Sequence, residues 1–182
     1  MTHLASIQRV SILATEGVFA STLMQAKDFF HMASLRYGRQ LGLELKPAFE
    51  TRLVSPDGGA VSTFSGTSIA VDGALDNADM LILPAFWGDF DALCARYPQV
   101  ARWLRERHAA GSVICGEATG AFWMAQAGLL EGREATTHWR FAGEFAERFP
   151  GVQFSADKHL TDSDNLYCAG GTTSACDLYM YL

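Results

Sequence analysis

Short apolar runs next to turn residues are the clearest feature of the hydrophobic pattern. Runs of this length predict strands that are buried on both faces, as in a parallel sheet. The three clearest runs lie at 9–14, 80–84 and 113–115. Longer segments with apolar residues at helical spacing alternate with them, and these predict helices. The helices are expected at 22–40, where Ser21 or Thr22 would cap the start, at 89–110 and at 121–130.

Shorter elements complete the pattern. An alternating segment predicts a second strand, and runs on either side of Gly66 predict short strands or a hairpin. A further hairpin, a short helix and a final helix are expected towards the end of the chain. The second strand is expected at 43–54 and the runs around Gly66 at 61–66 and 68–73. The further hairpin is expected at 159–168, the short helix at 143–150 and the final helix at 170–182. Alternating strands and helices predict an α/β fold, with a mostly parallel sheet sandwiched by helices.

Composition and charge narrow the function. The 182 residues, 49% hydrophobic and 19% charged, predict one domain spanning 1–182. A net charge of −6 gives no general attraction for a polyanion, so DNA binding would need residues outside this chain. Neither a signal peptide nor a membrane span is expected. Four cysteines without CxxC or zinc spacing favour reduced thiols in a cytoplasmic protein, with no metal and no cofactor.

The segment 112–139 carries the most specific pattern. An apolar run through Cys115, a small-residue turn at 116–120 and an apolar helix are typical of a nucleophile elbow. The turn residue of such an elbow is held at the mouth of the sheet, where it usually attacks the substrate. Here the centre of the turn is Ala118, whose methyl group cannot attack anything. Since ligands bind beyond the carboxyl ends of parallel strands, the elbow and the ends at 14–16 and 83–88 should converge on one pocket.

The run ATGAFWMAQAGLLEGREATTHW resembles the PfpI-like branch of the class I glutamine amidotransferase superfamily, and most of all the N-terminal domain of AraC-type transcription regulators. The resemblance implies a flavodoxin-like, amidotransferase-like fold. It places the family's cysteine on Ala118 and its histidine on His138, with the family's separation retained (138 − 118 = 20). Cys115 lies three residues too early and is interpreted as a buried strand residue. The family's acidic position in the first helix falls on Thr22, so nucleophile and acid are both replaced and no catalytic residue is expected.

Aromatic residues stand where the superfamily often has the Pro-Gly-Gly of an oxyanion hole. Phe86 and Trp87 favour an aromatic-lined pocket that could cage a small cation, although they could equally pack against a helix or a second subunit. His138 is expected to hydrogen-bond a ligand and Trp139 to wall the pocket; the alternative is that both lie in the core. The predicted ligand-binding residues lie at the strand ends, at the elbow and at the start of the last helix: Glu16, Phe86, Trp87, Glu117, Ala118, Thr119, His138, Trp139 and Thr172.

Three further assignments also have alternatives. Glu16 and Glu117 either contact the ligand or lie in solvent as loop carboxylates. Thr172 either offers its hydroxyl to the ligand or only caps the last helix, and the cap is the favoured role.

The resemblance implies a ligand-sensing domain that often dimerises and is followed by a helix-turn-helix DNA-binding domain, which this chain lacks. We therefore expect a non-catalytic homodimeric domain whose effector is a small molecule such as an amine, a betaine or an amino acid. One alternative is a stand-alone PfpI-like enzyme, of the hydrolase, glyoxalase or isonitrile hydratase type, that uses Cys115 or a water activated by His138. Another is a pseudoenzyme that mediates only oligomerisation.

Overall fold

A seven-stranded sheet organises the computed structural model, which describes residues 7–40, 42 and 47–182. The spatial order of its strands is β10-β11-β7-β6-β1-β2-β5, and every pairing is parallel except that of β10 with β11. Two small two-stranded sheets, β3 with β4 and β8 with β9, lie outside it. The strand bounds are β1 Arg9–Leu13, β2 Glu50–Ser55, β3 Val61–Ser62, β4 Ser68–Ile69, β5 Gly73–Ala74, β6 Met80–Leu83, β7 Val113–Glu117, β8 Glu134–Ala135, β9 Gln153–Phe154, β10 Leu160–Ser163 and β11 Leu166–Ala169.

Helices cover both faces of the large sheet. Their bounds are α1 Ala20–Gln40, α2 Phe90–Arg96, α3 Gln99–Ala109, α4 Gly120–Gln126, α5 Ala142–Arg148 and α6 Thr172–Tyr181, with a 3-10 turn at Trp139–Phe141. Helices α2 to α5 bury one face in a cluster around Leu83, Trp123 and Phe145. Helices α1 and α6 bury the other, around Ile12 and Phe30. The predicted mostly parallel α/β sandwich is confirmed. None of the described helices combines the length and the apolarity that a membrane crossing requires.

Two predicted helices end earlier than expected. The segment 89–110 is broken into α2 and α3 because Pro98 has no N–H to continue the first helix, and Tyr97 before it leaves helical geometry with φ −126°. Helix α4 ends at Gln126 rather than at 130. There Gly128, with φ +76°, donates its N–H to the Ala125 carbonyl and turns the chain out of the helix.

The first helix and the second strand also differ from expectation. Helix α1 begins at Ala20, and the Thr22 hydroxyl donates to the Phe19 carbonyl instead of capping the helix from outside. Strand β2 begins only at Glu50. Before it, the Phe49 N–H donates to the hydroxyl of Ser34 on α1, which ties this part of the predicted strand to the helix. Residues 43–46 of the predicted strand lie outside the described residues.

The predicted hairpins and the last two helices are present. Strands β3 and β4 pair antiparallel around Gly66, and β10 and β11 pair antiparallel around a two-residue turn. That turn consists of Asp164 and Asn165, both with positive φ, as a right-twisted hairpin favours.

Candidate functional site

The elbow at Ala118 has the geometry of a nucleophile turn without a nucleophile. Ala118 follows β7 with φ +49°, in the left-handed region that costs a residue with a Cβ roughly 1–2 kcal/mol. Its N–H donates to the Ala169 carbonyl at 2.7 Å. Its carbonyl accepts from the Thr137 hydroxyl at 2.7 Å and from the Ala121 N–H at 3.2 Å. These bonds to β11, α4 and the segment before His138 hold the strained turn in place.

Two glycines bring the strand and helix of the elbow close to their neighbours. A Cβ placed on Gly120 would lie 1.9 Å from the carbonyl oxygen of Leu83, which is backbone and cannot yield. A Cβ on Gly116 would lie 2.8 Å from the sulfur of Met124 and 2.9 Å from Ala121. Helix α4 can therefore start directly against β6 and β7, and the elbow sits at the carboxyl edge of the sheet.

Thr119 fastens the elbow to the end of β6. Its hydroxyl donates to the Phe86 carbonyl at 2.7 Å and accepts from the Phe86 N–H at 2.8 Å. Because the Phe86 N–H is used in this way, it is not free to stabilise an oxyanion. This geometry agrees with the interpretation that the loop after β6 is not an oxyanion hole.

A cavity of about 180 Å³ opens beside the elbow, on the α2–α5 side of the sheet. Its lining is mostly aromatic, with one carboxylate: Phe86, Trp87, Gly88, Phe90, Thr119, Phe122, Phe141 and Glu144. Trp87 and Phe141 meet edge to face, with ring centroids 5.3 Å apart. Three of the predicted residues, Phe86, Trp87 and Thr119, are thus brought together here. Phe86 is only 4% exposed and also packs against Phe90 of α2 and Trp123 of α4, so the alternative of helix packing holds for this residue as well.

Sequence reasoning missed Phe122, Phe141 and Glu144. Glu144 lies in the first turn of α5, and Phe141 ends the 3-10 turn that leads into it. The available signal was the spacing, since both follow His138 within six residues, next to the motif that marked the site.

Glu16 belongs to a neighbouring cavity of about 230 Å³. Trp87 and Gly88 line both cavities, and Asp89 and Arg96 supply charges to the second. Glu16 is half-buried there, so it is neither a residue of the first cavity nor a fully solvated loop carboxylate. Gly17 beside it has φ +76°, and a Cβ on it would lie 2.2 Å from the Trp87 carbonyl oxygen.

The segment after Thr137 turns differently from the prediction. Trp139 is 76% exposed, so it is neither the expected pocket wall nor a core residue. The 3-10 turn points Trp139 outward and gives the inward position to Phe141 two residues later. His138 is half-buried outside the cavity lining, and its ring lies 6.3 Å from that of Phe141. Its Nδ1 accepts the Arg140 N–H at 3.3 Å, which leaves the proton of the neutral ring on Nε2.

Glu117 is neither a pocket acid nor a solvated carboxylate, and the sequence prediction was wrong on both alternatives. It is completely buried on the face of the sheet that α1 and α6 cover, and the Tyr179 hydroxyl donates to its Oε1. Burial raises the pKa of this carboxyl well above its usual range. The reason is the strand period of two, which directs Glu117 to the same face as Cys115.

Ala118 and Thr172 also lie outside the cavity lining. Ala118 is only 4% exposed, and its methyl group faces neighbouring protein. Thr172 is exposed at the start of α6. The capping position there is Gly171, and within the described residues no side chain caps this helix, so the favoured capping role of Thr172 is wrong.

The environment of Cys115 disfavours this thiol as a replacement nucleophile. Cys115 is fully buried in β7, as expected, and burial together with the neighbouring Glu117 raises the pKa of its thiol well above the usual value. The thiolate is the reactive form of cysteine, so this environment suppresses its chemistry. Among the described residues, no three His, Cys, Asp or Glu side chains come together as a metal site.

A parallel sheet whose strand–turn–helix elbow lies beside a pocket defines a class of α/β proteins in which the turn usually carries a nucleophile. Residues 9–181 match the DJ-1/PfpI family, and the chain belongs to that family. The resemblance to PfpI-like proteins noted in the sequence is therefore confirmed.

Curated relatives are helix-turn-helix transcriptional regulators of the AraC type. CdhR of Pseudomonas aeruginosa is 35% identical over 129 residues, which are 69% of this chain and 38% of CdhR. GlxA of Rhizobium meliloti is 25% identical over 174 residues, which are 91% of this chain and 49% of GlxA. The chain thus spans less than half the length of these regulators.

Solved structures share the fold. A protein from Vibrio parahaemolyticus, described as a candidate transcriptional regulator, has a TM-score of 0.82 at 24% identity, covering 97% of this chain and 90% of its own. An AraC family transcriptional regulator from Pseudomonas putida has a TM-score of 0.71 at 20% identity, covering 96% and 89%. At these identities the likeness concerns the fold alone.

Proposed function

We propose that this chain is a non-catalytic ligand-sensing domain of a cytoplasmic AraC-type regulator, which binds a small effector beside the degenerate elbow. The observation that carries the proposal is Ala118: the elbow retains its strained backbone, with φ +49°, while the side chain that would react is absent. A backbone strain that survives without the chemistry favours a role for the elbow in shaping a binding site.

The aromatic cavity supports a small effector with a positive charge. Aromatic faces attract cations, and Glu144 places a carboxylate at the same cavity. Amines, betaines and amino acids have this chemistry. The volume of about 180 Å³ matches a compact molecule rather than a peptide or a nucleotide.

Thermal denaturation with panels of amines, betaines and amino acids would identify the ligand. A ligand that binds only the folded state adds about 2.7 kcal/mol to the free energy of unfolding at a hundredfold excess over its dissociation constant. We expect Glu144→Gln and Phe141→Ala to weaken a hit, and Glu147→Gln to leave it unchanged, because Glu147 is exposed on the same helix outside the cavity lining. A hit that binds Glu144→Gln as tightly as the parent would refute recognition by this carboxylate.

The proposal also assigns effector binding to this chain and DNA binding to a further domain of the same protein. The chain has a net charge of −6 and spans less than half of the helix-turn-helix regulators it matches, which supports DNA contacts made by other residues of a longer protein. This chain alone should show no duplex binding at physiological salt in a titration of labelled DNA. Micromolar, salt-dependent binding would contradict the proposal.

Homodimerisation is also part of the proposal. Helices α1 and α6 cover one face of the sheet and carry exposed methionines, Met32 at 67% and Met180 at 69%. A contiguous apolar patch on this face would favour a contact with a second copy, and the proposal assigns these two methionines to such a patch. Sedimentation equilibrium should give a dimer that Met32→Glu weakens, whereas a monomer at all concentrations would remove dimerisation from the proposal.

The enzyme alternative has less support. Burial of Cys115 disfavours ionisation of its thiol. The neutral ring of His138 carries its proton on Nε2. A water-activating histidine needs an unprotonated nitrogen facing the water. Here Nδ1, the nitrogen without the proton, is used by the Arg140 N–H.

A further inference from the structure

The Glu117 carboxyl is a polar group inside an apolar layer. On this face of the sheet lie Ile12 and Cys115, which form a cluster with Leu178 of α6. Glu117 is fully buried, and its Oε2 has no hydrogen-bond partner among the described residues. A buried oxygen without a hydrogen-bond partner lowers the free energy of unfolding, so an aliphatic side chain at this position would be more stable. Packing alone therefore does not account for a carboxyl at this position.

The other carboxyl oxygen, Oε1, reaches across to the last helix. It accepts the hydroxyl of Tyr179, whose ring packs against Phe29 and Phe30 of α1 with centroids 5.2 and 5.1 Å away. Titratable groups on this face include Cys115 from β7, Tyr167 from β11 and Tyr179 from α6. Helix α6 also carries Cys176, whose sulfur accepts from the Gln25 side chain of α1. No cation among the described residues compensates a negative charge there, so the neutral carboxyl is the form that fits.

The backbone of Glu117 belongs to the elbow. Glu117 shares a peptide group with Ala118, so a shift of the strained turn moves the carboxyl that Tyr179 holds. Helix α6 also meets the elbow region at its start. A Cβ on Gly171 would lie 3.8 Å from Cδ2 of His138. The start of the last helix therefore lies close to His138, while Tyr179 near its other end bonds Glu117.

We propose that the hydrogen bond between Glu117 and Tyr179 is a coupling contact, which passes a change at the elbow to helix α6 and a change in α6 back to the elbow. Coupling between two sites is reciprocal, so either end can be perturbed to test it. The contact rests on and extends the proposed function, because it connects the elbow beside the effector site to helix α6. It can be tested without any ligand, so its failure and that of the proposed ligand site are distinguishable.

The test perturbs the elbow and measures the helix. Ala118→Gly removes the Cβ that resists φ +49°, and hydrogen exchange then follows the amides of α6. The exchange rates of the α6 amides are divided by those of the α3 amides. Because α3 packs on the opposite face of the sheet, a change in global stability affects both helices and cancels from the ratio. We expect the relative exchange of α6 to slow by about fivefold or more, the lower end of measured coupling between sites.

The hydroxyl of Tyr179 should carry the effect. In the Tyr179→Phe background the response of α6 to Ala118→Gly should disappear. In the Tyr181→Phe background it should persist, because Tyr181 loses the same atom from the same helix but bonds exposed Asp162 instead. An equal response in both backgrounds, or none in the parent, would overturn the coupling role and leave Glu117 a buried structural residue.

Glu117 variants give an independent reading. Glu117→Gln keeps a neutral group that hydrogen-bonds Tyr179, so the response of α6 to Ala118→Gly should be preserved, whereas Glu117→Leu should abolish it. If Tyr179→Phe does not fold, Glu117→Leu replaces it as the uncoupled background. Loss of the response in Glu117→Gln as well as in Glu117→Leu would contradict a neutral carboxyl as the coupling group.

Discussion

Two places in the described chain hold non-glycine residues at positive φ, and they are built in opposite ways. At the β10–β11 tip, Asp164 and Asn165 have φ +54° and +61°. Both are residue types that tolerate this region, and the Asp164 side chain is exposed. At the elbow, Ala118 has φ +49° but is 4% exposed and has no polar side chain to help.

The difference separates two sources of a strained backbone. At the hairpin tip the residue types themselves favour the conformation, although the tip also bonds the Arg133 side chain, the His108 ring and the Ile114 N–H. At the elbow the surroundings impose the conformation through the bonds from Ala118 to Ala169 and Thr137. Strain held by distant parts of the chain is typical of functional sites.

The largest expected effect comes from breaking the elbow at Gly120. Gly120→Ala would place a Cβ 1.9 Å from the Leu83 carbonyl oxygen, so backbone must move. We expect a loss of at least about 3 kcal/mol in the free energy of unfolding, measured by urea denaturation. Gly143→Ala is the matched control, since open space surrounds that glycine and alanine should add up to about 1 kcal/mol in a helix. A Gly120→Ala protein as stable as the parent would show that the elbow is loosely packed.

The next effect depends on pH and concerns Glu117. Its carboxyl pKa is raised in the folded state above the ordinary 4.5, because burial disfavours the charge. As pH rises, Glu117 therefore ionises in the unfolded chain before it ionises in the folded protein. Its contribution to the free energy of unfolding is complete below about pH 4.5 and is lost as pH rises towards the folded pKa. The free energy of unfolding of the parent, minus that of Glu117→Gln, should fall continuously from pH 4.5 to 8. A constant difference would mean that Glu117 ionises normally.

The smallest expected effect comes from replacing a positive-φ residue by glycine at the elbow and at the β10–β11 tip. Ala118→Gly should raise the free energy of unfolding by about 1 kcal/mol, because glycine removes the steric cost of the left-handed conformation. Asn165→Gly should change it by less than about 0.5 kcal/mol, since asparagine already tolerates φ +61° at the turn. Equal responses in denaturant melts would contradict the view that only the elbow is strained.

The sequence predicted the elbow, since the spacing between Ala118 and His138 and the glycines around the turn are local features. It also predicted the sheet, because each buried run is short and apolar. It did not predict which side chains enter the cavity: Trp139 and Phe141 are both aromatic, and only the 3-10 turn decides that Phe141 points inward. Glu117 was predictable in principle, since Cys115 was taken as buried and the strand period of two places both on one face.

The four tryptophans give this domain a built-in optical reporter. Trp103 and Trp123 are buried at 6% and 1% exposure, so their emission should be insensitive to small molecules. Trp87 is 43% exposed and lines the cavity, whereas Trp139, at 76%, emits mainly from solvent. In a Trp139→Phe protein, a change in intensity or wavelength on adding an effector would therefore come chiefly from Trp87, and binding could be followed without attaching a label.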